Sequence, residues 1–195
     1  MKQSLALLAL AATSFAAHAA IDSYALDPVH TVAIFQVEHL GLSDFYGRFD
    51  KTNGKVAIDR AAKTGSVEVS IDTASIDTND PDKGNRARSR DDHARSADFL
   101  NVAEFPKMTY KSTNVVFSGD NPTTVEGNLT LLGVTKPVAL KVDRFKCNPA
   151  TATAKERCGG DATGKVKRSD FGMTRGIPQV GDDLILTISF EGNKD

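Results

Sequence analysis

Period-two alternation of apolar and polar residues recurs along almost the whole of this chain, and one long stretch breaks it. That stretch, Ser75 to Ser112, is rich in arginine and aspartate and ends in the apolar group Phe99, Leu100 and Phe105. A mostly β chain interrupted once by a helix candidate predicts a barrel or sandwich with one long connection, whose apolar end must cover something. The expectation is an all-β, up-and-down antiparallel barrel of about eight strands with one helical insertion around residues 84–100.

The strands follow from parity. Between Thr31 and Leu40, the residues Ala33, Phe35, Val37 and His39 share one face; Phe45 and Phe49 share another, with Gly47 between them. Glycine between two aromatic side chains marks a bend or a close approach to the backbone. Thr52-Asn53-Gly54-Lys55 reads as a hairpin turn leading to inward Val56 and Ile58. Val67, Val69 and Ile71 alternate cleanly, as do Met108 and Tyr110, Leu129 and Leu131 with Val125, then Val138, Leu140 and Val142, and finally Leu184 to Phe190. The candidate lining of the interior is Phe35, Val37, Phe45, Phe49, Val56, Ile58, Phe99, Phe105, Met108, Tyr110, Leu129 and Leu131. A slip of one residue in register would invert any of these strands. Pattern alone does not separate a filled barrel from one that holds a ligand.

Residues 1–19 carry one lysine, an apolar run from Leu5 to Ala12 and an Ala17-His18-Ala19 ending, the pattern of a cleaved secretory signal peptide, leaving 20–195 as a single domain. Removing them takes one lysine and no acid from the 24 basic and 25 acidic side chains, moving the formal charge from −1 to −2. Such a balance, with acids interleaved among bases, argues against nucleic acid as a partner. An exported chain meets oxidising conditions, where Cys147 and Cys158 are most simply a disulfide; a metal pair is the competing reading, poorly supported without a nearby histidine.

No constellation demands catalysis. His30, His39 and His93 form no H-x-x-x-H pattern, so no metal site is expected. Gly159 to Val166 approaches a phosphate-binding loop but places Val166 where a hydroxyl is required, and reads as the turn after the cysteine pair. Asp91, Asp92 and Asp98 with Arg86, Arg88, Arg90 and Arg95 read as a solvated, self-paired helix face.

Ser75-Ile-Asp-Thr78, Arg90-Asp-Asp-His93, Arg95 to Phe99, Phe105-Pro106, Gly127 to Pro137, Asp170-Phe-Gly-Met173 and Val180 to Leu184 occur in the order seen in the YceI-like family of secreted polyisoprenoid-binding proteins. His39-Leu-Gly41 and Gly47-Arg-Phe49 match as well, so the resemblance covers nearly the whole mature chain. It implies an extended, lipocalin-like antiparallel barrel serving as a non-enzymatic periplasmic carrier without a cofactor, its hydrophobic tunnel taking an isoprenoid quinone or prenyl phosphate, with a homodimer and a stress-related setting among its implications. Burying each methylene contributes roughly 0.8 kcal/mol, and a membrane offers the same, so exchange through transient membrane contact is expected. The alternative is an envelope or host protein-interaction module with a packed barrel.

Overall fold

The computed structural model describes residues 21–195; the signal-peptide expectation lies outside them. Among the described residues eleven strands form one antiparallel sheet that closes on itself. The strands are β1 (Asp22–Leu26), β2 (Val32–His39), β3 (Ser43–Phe49), β4 (Thr52–Asp59), β5 (Thr64–Asp72), β6 (Ile76–Asp77), β7 (Lys107–Ser118), β8 (Asn121–Leu131), β9 (Val134–Asn148), β10 (Arg157–Lys167) and β11 (Val180–Lys194).

These eleven segments are eight passes of the chain. β1 and β2 both lie along β11, Tyr24 to Leu26 opposite Lys194 to Gly192 and Val32 to His39 opposite Ser189 to Val180. They are two halves of one pass, interrupted where Asp27 accepts from the Val29 N–H beside Pro28, which has no N–H to give the ladder. β3 and β4 are likewise one pass broken at Asp50 and Lys51, since β3 pairs with β2 and β4 with β1. β5 and β6 make a third, broken by the 3-10 turn Thr73–Ser75. Pairing of β11 with β1 closes the ring, so the eight-stranded up-and-down barrel expected from alternation is present.

The same topology overturns the hairpin expected at Thr52 to Lys55. Those residues are the start of β4, paired with Ile71 to Glu68 of β5. A hairpin needs antiparallel neighbours, whereas β3 and β4 run in the same direction. Gly54 is small there because the Glu68 carbonyl oxygen and the Leu26 side chain leave no room for a Cβ. Gly159 to Val166 is not a turn either: it belongs to β10, paired with β11 along its length and with β9 as far as Thr163. A Cβ at Gly164 would lie 2.7 Å from the Leu140 side chain, which is why a strand carries glycine at that point. Cys147 and Cys158 face each other across β9 and β10 and form the disulfide.

The insertion fills residues 78–106, but its helix α1 is only Arg90–Arg95. Ser89 is extended and caps it by accepting from the Asp92 N–H, and Ser96 turns extended again, so the rest of the 84–100 expectation is irregular chain. The solvated-face reading fails at Asp91. It is 3% exposed and accepts from the Thr78 N–H at 2.8 Å and the Thr78 hydroxyl at 2.6 Å. Arg95 donates to the carbonyls of Ala74 and Ile76, stitching α1 to β6. Leu100 is buried in the main apolar cluster, so the insertion lies over one end of the barrel.

Candidate functional site

Inward parity on the eight passes leaves the barrel hollow. A cavity of about 460 Å³ runs through it, lined almost wholly by aliphatic and aromatic side chains. That volume lies within the range of ordinary ligand sites, about 300–1,000 Å³. Eleven of the twelve residues read from the sequence face it: Phe35, Val37, Phe45, Phe49, Val56, Ile58, Phe99, Met108, Tyr110, Leu129 and Leu131. Phe105 does not. Its ring packs against Gly133 at the tip between β8 and β9, so the end of the insertion splits, with Phe99 and Leu100 turned inward and Phe105 over the rim.

Two glycines shape the wall. A Cβ at Gly47 would collide with the Phe35 ring, so this glycine lets Phe35 lie flat against β3, fulfilling the close approach expected between Phe45 and Phe49. A Cβ at Gly127 would stand 2.6 Å from Tyr110 Cζ. The Tyr110 hydroxyl lies 3.0 Å from the carbonyl oxygens of both Val125 and Val138, and burial first, then Glu126, pushes its pKa up to about 12. With its polar atom turned to the backbone, Tyr110 offers the cavity an apolar ring.

The parity argument extends to lining it left out. Val138, Leu140 and Val142 on β9 and Leu184, Leu186 and Ile188 on β11 also face the cavity, and the same alternation marks them. Polar lining gathers largely at the insertion end, where Thr78, Arg90, His93, His39 and Arg168 meet the cavity. The Arg90 guanidinium lies 4.6 Å over the Phe45 ring, which stacks 4.3 Å from His39. Arg90 Nη2 is 3.7 Å from Asp80, while its Nε is buried without a hydrogen-bond partner. A two-pronged hydrogen bond from Arg86 holds the Asp80 carboxyl down to about 2, so Asp80 is ionised at neutral pH. His93 sits 2.9 Å from Asp98 and edge-on to Phe99 at 4.9 Å. Parity singled out Phe45 and His39, and the Arg90-Asp-Asp-His93 motif singled out Arg90, but nothing in their spacing foretold that the three meet in one row.

Arg168, 2% exposed, spends its guanidinium on four carbonyl oxygens: those of Gly181, Met173, Arg175 and Val180, at 2.6–3.0 Å. Burial lowers its pKa from the ordinary arginine value, with Asp182 opposing. His30 lies elsewhere, hydrogen-bonded to Asp27. Among the described residues the one group of His, Cys, Asp and Glu close enough to chelate is Cys147, Glu156 and Cys158, whose sulfurs are already bonded to each other. No helix among the described residues is long and apolar enough to cross a membrane. The arrangement can enclose an apolar chain and present hydrogen-bond donors to a polar group at one end.

Comparison with known proteins returns the same architecture. The family model for the YceI-like domain matches residues 24–192. Protein YceI of Salmonella arizonae is 37% identical over 196 residues, covering 98% of either chain. Among solved structures, a YceI protein of Campylobacter jejuni superimposes with a TM-score of 0.65 at 26% identity, covering 81% of this chain and 90% of its own. BcnA of Burkholderia cenocepacia gives 0.64 at 24%, covering 85% and 98%. A polyisoprenoid binding domain from Saccharophagus degradans gives 0.62 at 16%, covering 88% and 98%.

Proposed function

We propose a function on one premise: this chain belongs to the YceI-like family. The protein is a non-enzymatic periplasmic carrier that holds a polyisoprenoid lipid, an isoprenoid quinone or a prenyl phosphate, in the barrel cavity. The observation that carries this reading is the cavity itself, about 460 Å³ of almost unbroken apolar lining. An isoprenoid tail is a linear stack of methyl-branched units, and apolar walls bind it through burial alone, at roughly 0.8 kcal/mol per methylene equivalent. The Arg90 guanidinium at one end suits a head group that bears acceptor oxygens. Support for the ligand class comes also from the Saccharophagus degradans relative, described as a polyisoprenoid binding domain. A disulfide between strands agrees with an oxidising compartment.

A protein-interaction module with a packed barrel requires a filled interior, and the cavity runs against it. The deciding experiment is mass spectrometry of an organic extract of the exported protein, purified without detergent from a quinone-making bacterium. A stoichiometric isoprenoid is expected, and its mass names the head group. Protein that is empty and also refuses added prenyl lipids overturns the carrier reading. Phe35→Glu is expected to lose the lipid while keeping the barrel's circular dichroism.

A further inference from the structure

The same unusual turn occurs twice on the insertion end of the barrel. Leu40-Gly41 joins β2 to β3 and Leu132-Gly133 joins β8 to β9, and in both pairs leucine and glycine are left-handed, with φ of 58° and 67° in the first and 51° and 73° in the second. A left-handed leucine is strained, because its Cβ crowds the backbone where glycine has none. In the second turn the strain is offset by packing. Leu132 rests against the core and the insertion places Phe105 over Gly133.

The first turn has no such cover. Leu40 is 53% exposed, Leu42 is 82% exposed and Tyr46, on the same hairpin, is 60% exposed. The Leu40 N–H donates to the Gln179 carbonyl at 2.7 Å, so the turn is anchored in the conformation that holds its leucines out. His39 and Phe45, which flank it, both line the cavity. Apolar surface therefore continues from the cavity rim to the tip.

We propose that the Leu40-Gly41-Leu42 turn docks this rim on the surface of a phospholipid bilayer, so that lipid passes between membrane and cavity beside His39 and Phe45. Its partner is chosen on the lipid-carrier reading of the cavity, on which this inference rests. Three side chains cannot supply the about 800 Å² per partner that a stable protein dimer buries, whereas a leucine tip with a nearby tyrosine suits the shallow interface of a bilayer. Glu38 and Asp44 stand exposed on either side of the tip and Arg175 stands exposed on the segment that anchors it, a mixed charge that suits a zwitterionic rather than an anionic surface.

The chain contains no tryptophan, so Leu42→Trp gives a single fluorophore at the tip. With phosphatidylcholine vesicles, docking predicts a blue shift and quenching by bromine-labelled acyl chains, and no response from Val116→Trp on β7. Emission that ignores vesicles overturns the proposal. So does a blue shift that grows with protein concentration in their absence, which would assign the turn to a second copy. Leu40→Asp with Leu42→Asp is expected to slow extraction of a vesicle-borne isoprenoid quinone at least about tenfold, the loss of one buried leucine. Uptake of a short-chain, water-soluble isoprenoid quinone without vesicles should stay unchanged. An unaltered extraction rate overturns the docking route. Failure of the native chain to take up the soluble quinone counts against the cavity reading alone, because the tryptophan signal at the tip needs no occupied cavity.

Discussion

The two ends of the barrel are fastened by different chemistry. At the end away from the insertion, Cys147 and Cys158 bridge β9 and β10 covalently, Arg60 lies against both sulfurs, and the Tyr24 hydroxyl donates to Glu156 at 2.5 Å. At the insertion end no covalent link exists among the described residues, and closure rests on side chains that reach backbone atoms. Arg168 holds four carbonyls, Arg95 two, the Thr73 hydroxyl the Phe105 carbonyl, and Asp91 the Thr78 N–H. A ring of ladder bonds and a disulfide opens only on global unfolding, whereas a segment held by a few such bonds opens locally. The difference makes the insertion end the more readily opened one, and the polar lining and the bare leucine turn also lie there.

The contrast can be broken hardest at Arg168. Arg168→Met keeps the apolar stem but orphans four carbonyls, with an expected loss of about 3 kcal/mol or more. Urea denaturation measures it, and faster hydrogen exchange over residues 172–189 should appear with residues 147–158 unchanged. Replacing both cysteines by serine should cost about 2–3 kcal/mol for so short a loop, with exchange rising at the opposite end only. Equal loosening at both ends in either variant would dissolve the distinction.

Asp91→Asn is a finer probe. It keeps one acceptor for Thr78 but removes the charge beside Arg95, at an expected cost of about 1–2 kcal/mol, read as faster exchange over residues 78–100. The smallest effect is acidification. Asp80 is depressed to about 2 in the folded chain against about 3.9 unfolded, so its contribution is complete above about pH 4 and fades as pH falls toward 2. Asp80→Asn should abolish that part of the acid transition monitored at the insertion and leave the strands' transition in place. Tyr24 and Tyr110, both pushed up to about 12, work in the opposite sense: stability present below about pH 10 declines from there to 12, seen by tyrosinate absorbance.

Much of the barrel was legible because strand parity is a local property. Alternation at Phe35 and Val37, Met108 and Tyr110, or Leu129 and Leu131 needs only two neighbouring residues on opposite faces, and all six line the cavity. Asn53-Gly54 misled for the converse reason. A dipeptide reports its own flexibility, not whether the next strand returns beside the last or continues past it. Gly159 to Gly164 misled in the same way, since glycines demanded by close neighbours across a sheet look like glycines demanded by a turn.

By itself the sequence determined the class of fold, the inward face of nearly every strand and the cysteine pair, because period, parity and an isolated pair of cysteines are written residue by residue. The tertiary structure alone decided that Asp91 is buried under Thr78, that Phe105 covers one Leu-Gly turn and leaves the other bare, and that Arg90, Phe45 and His39 form one row at the rim. Each of those joins groups far apart in the chain, and the geometry of closure, not local propensity, decides which of them meet in space.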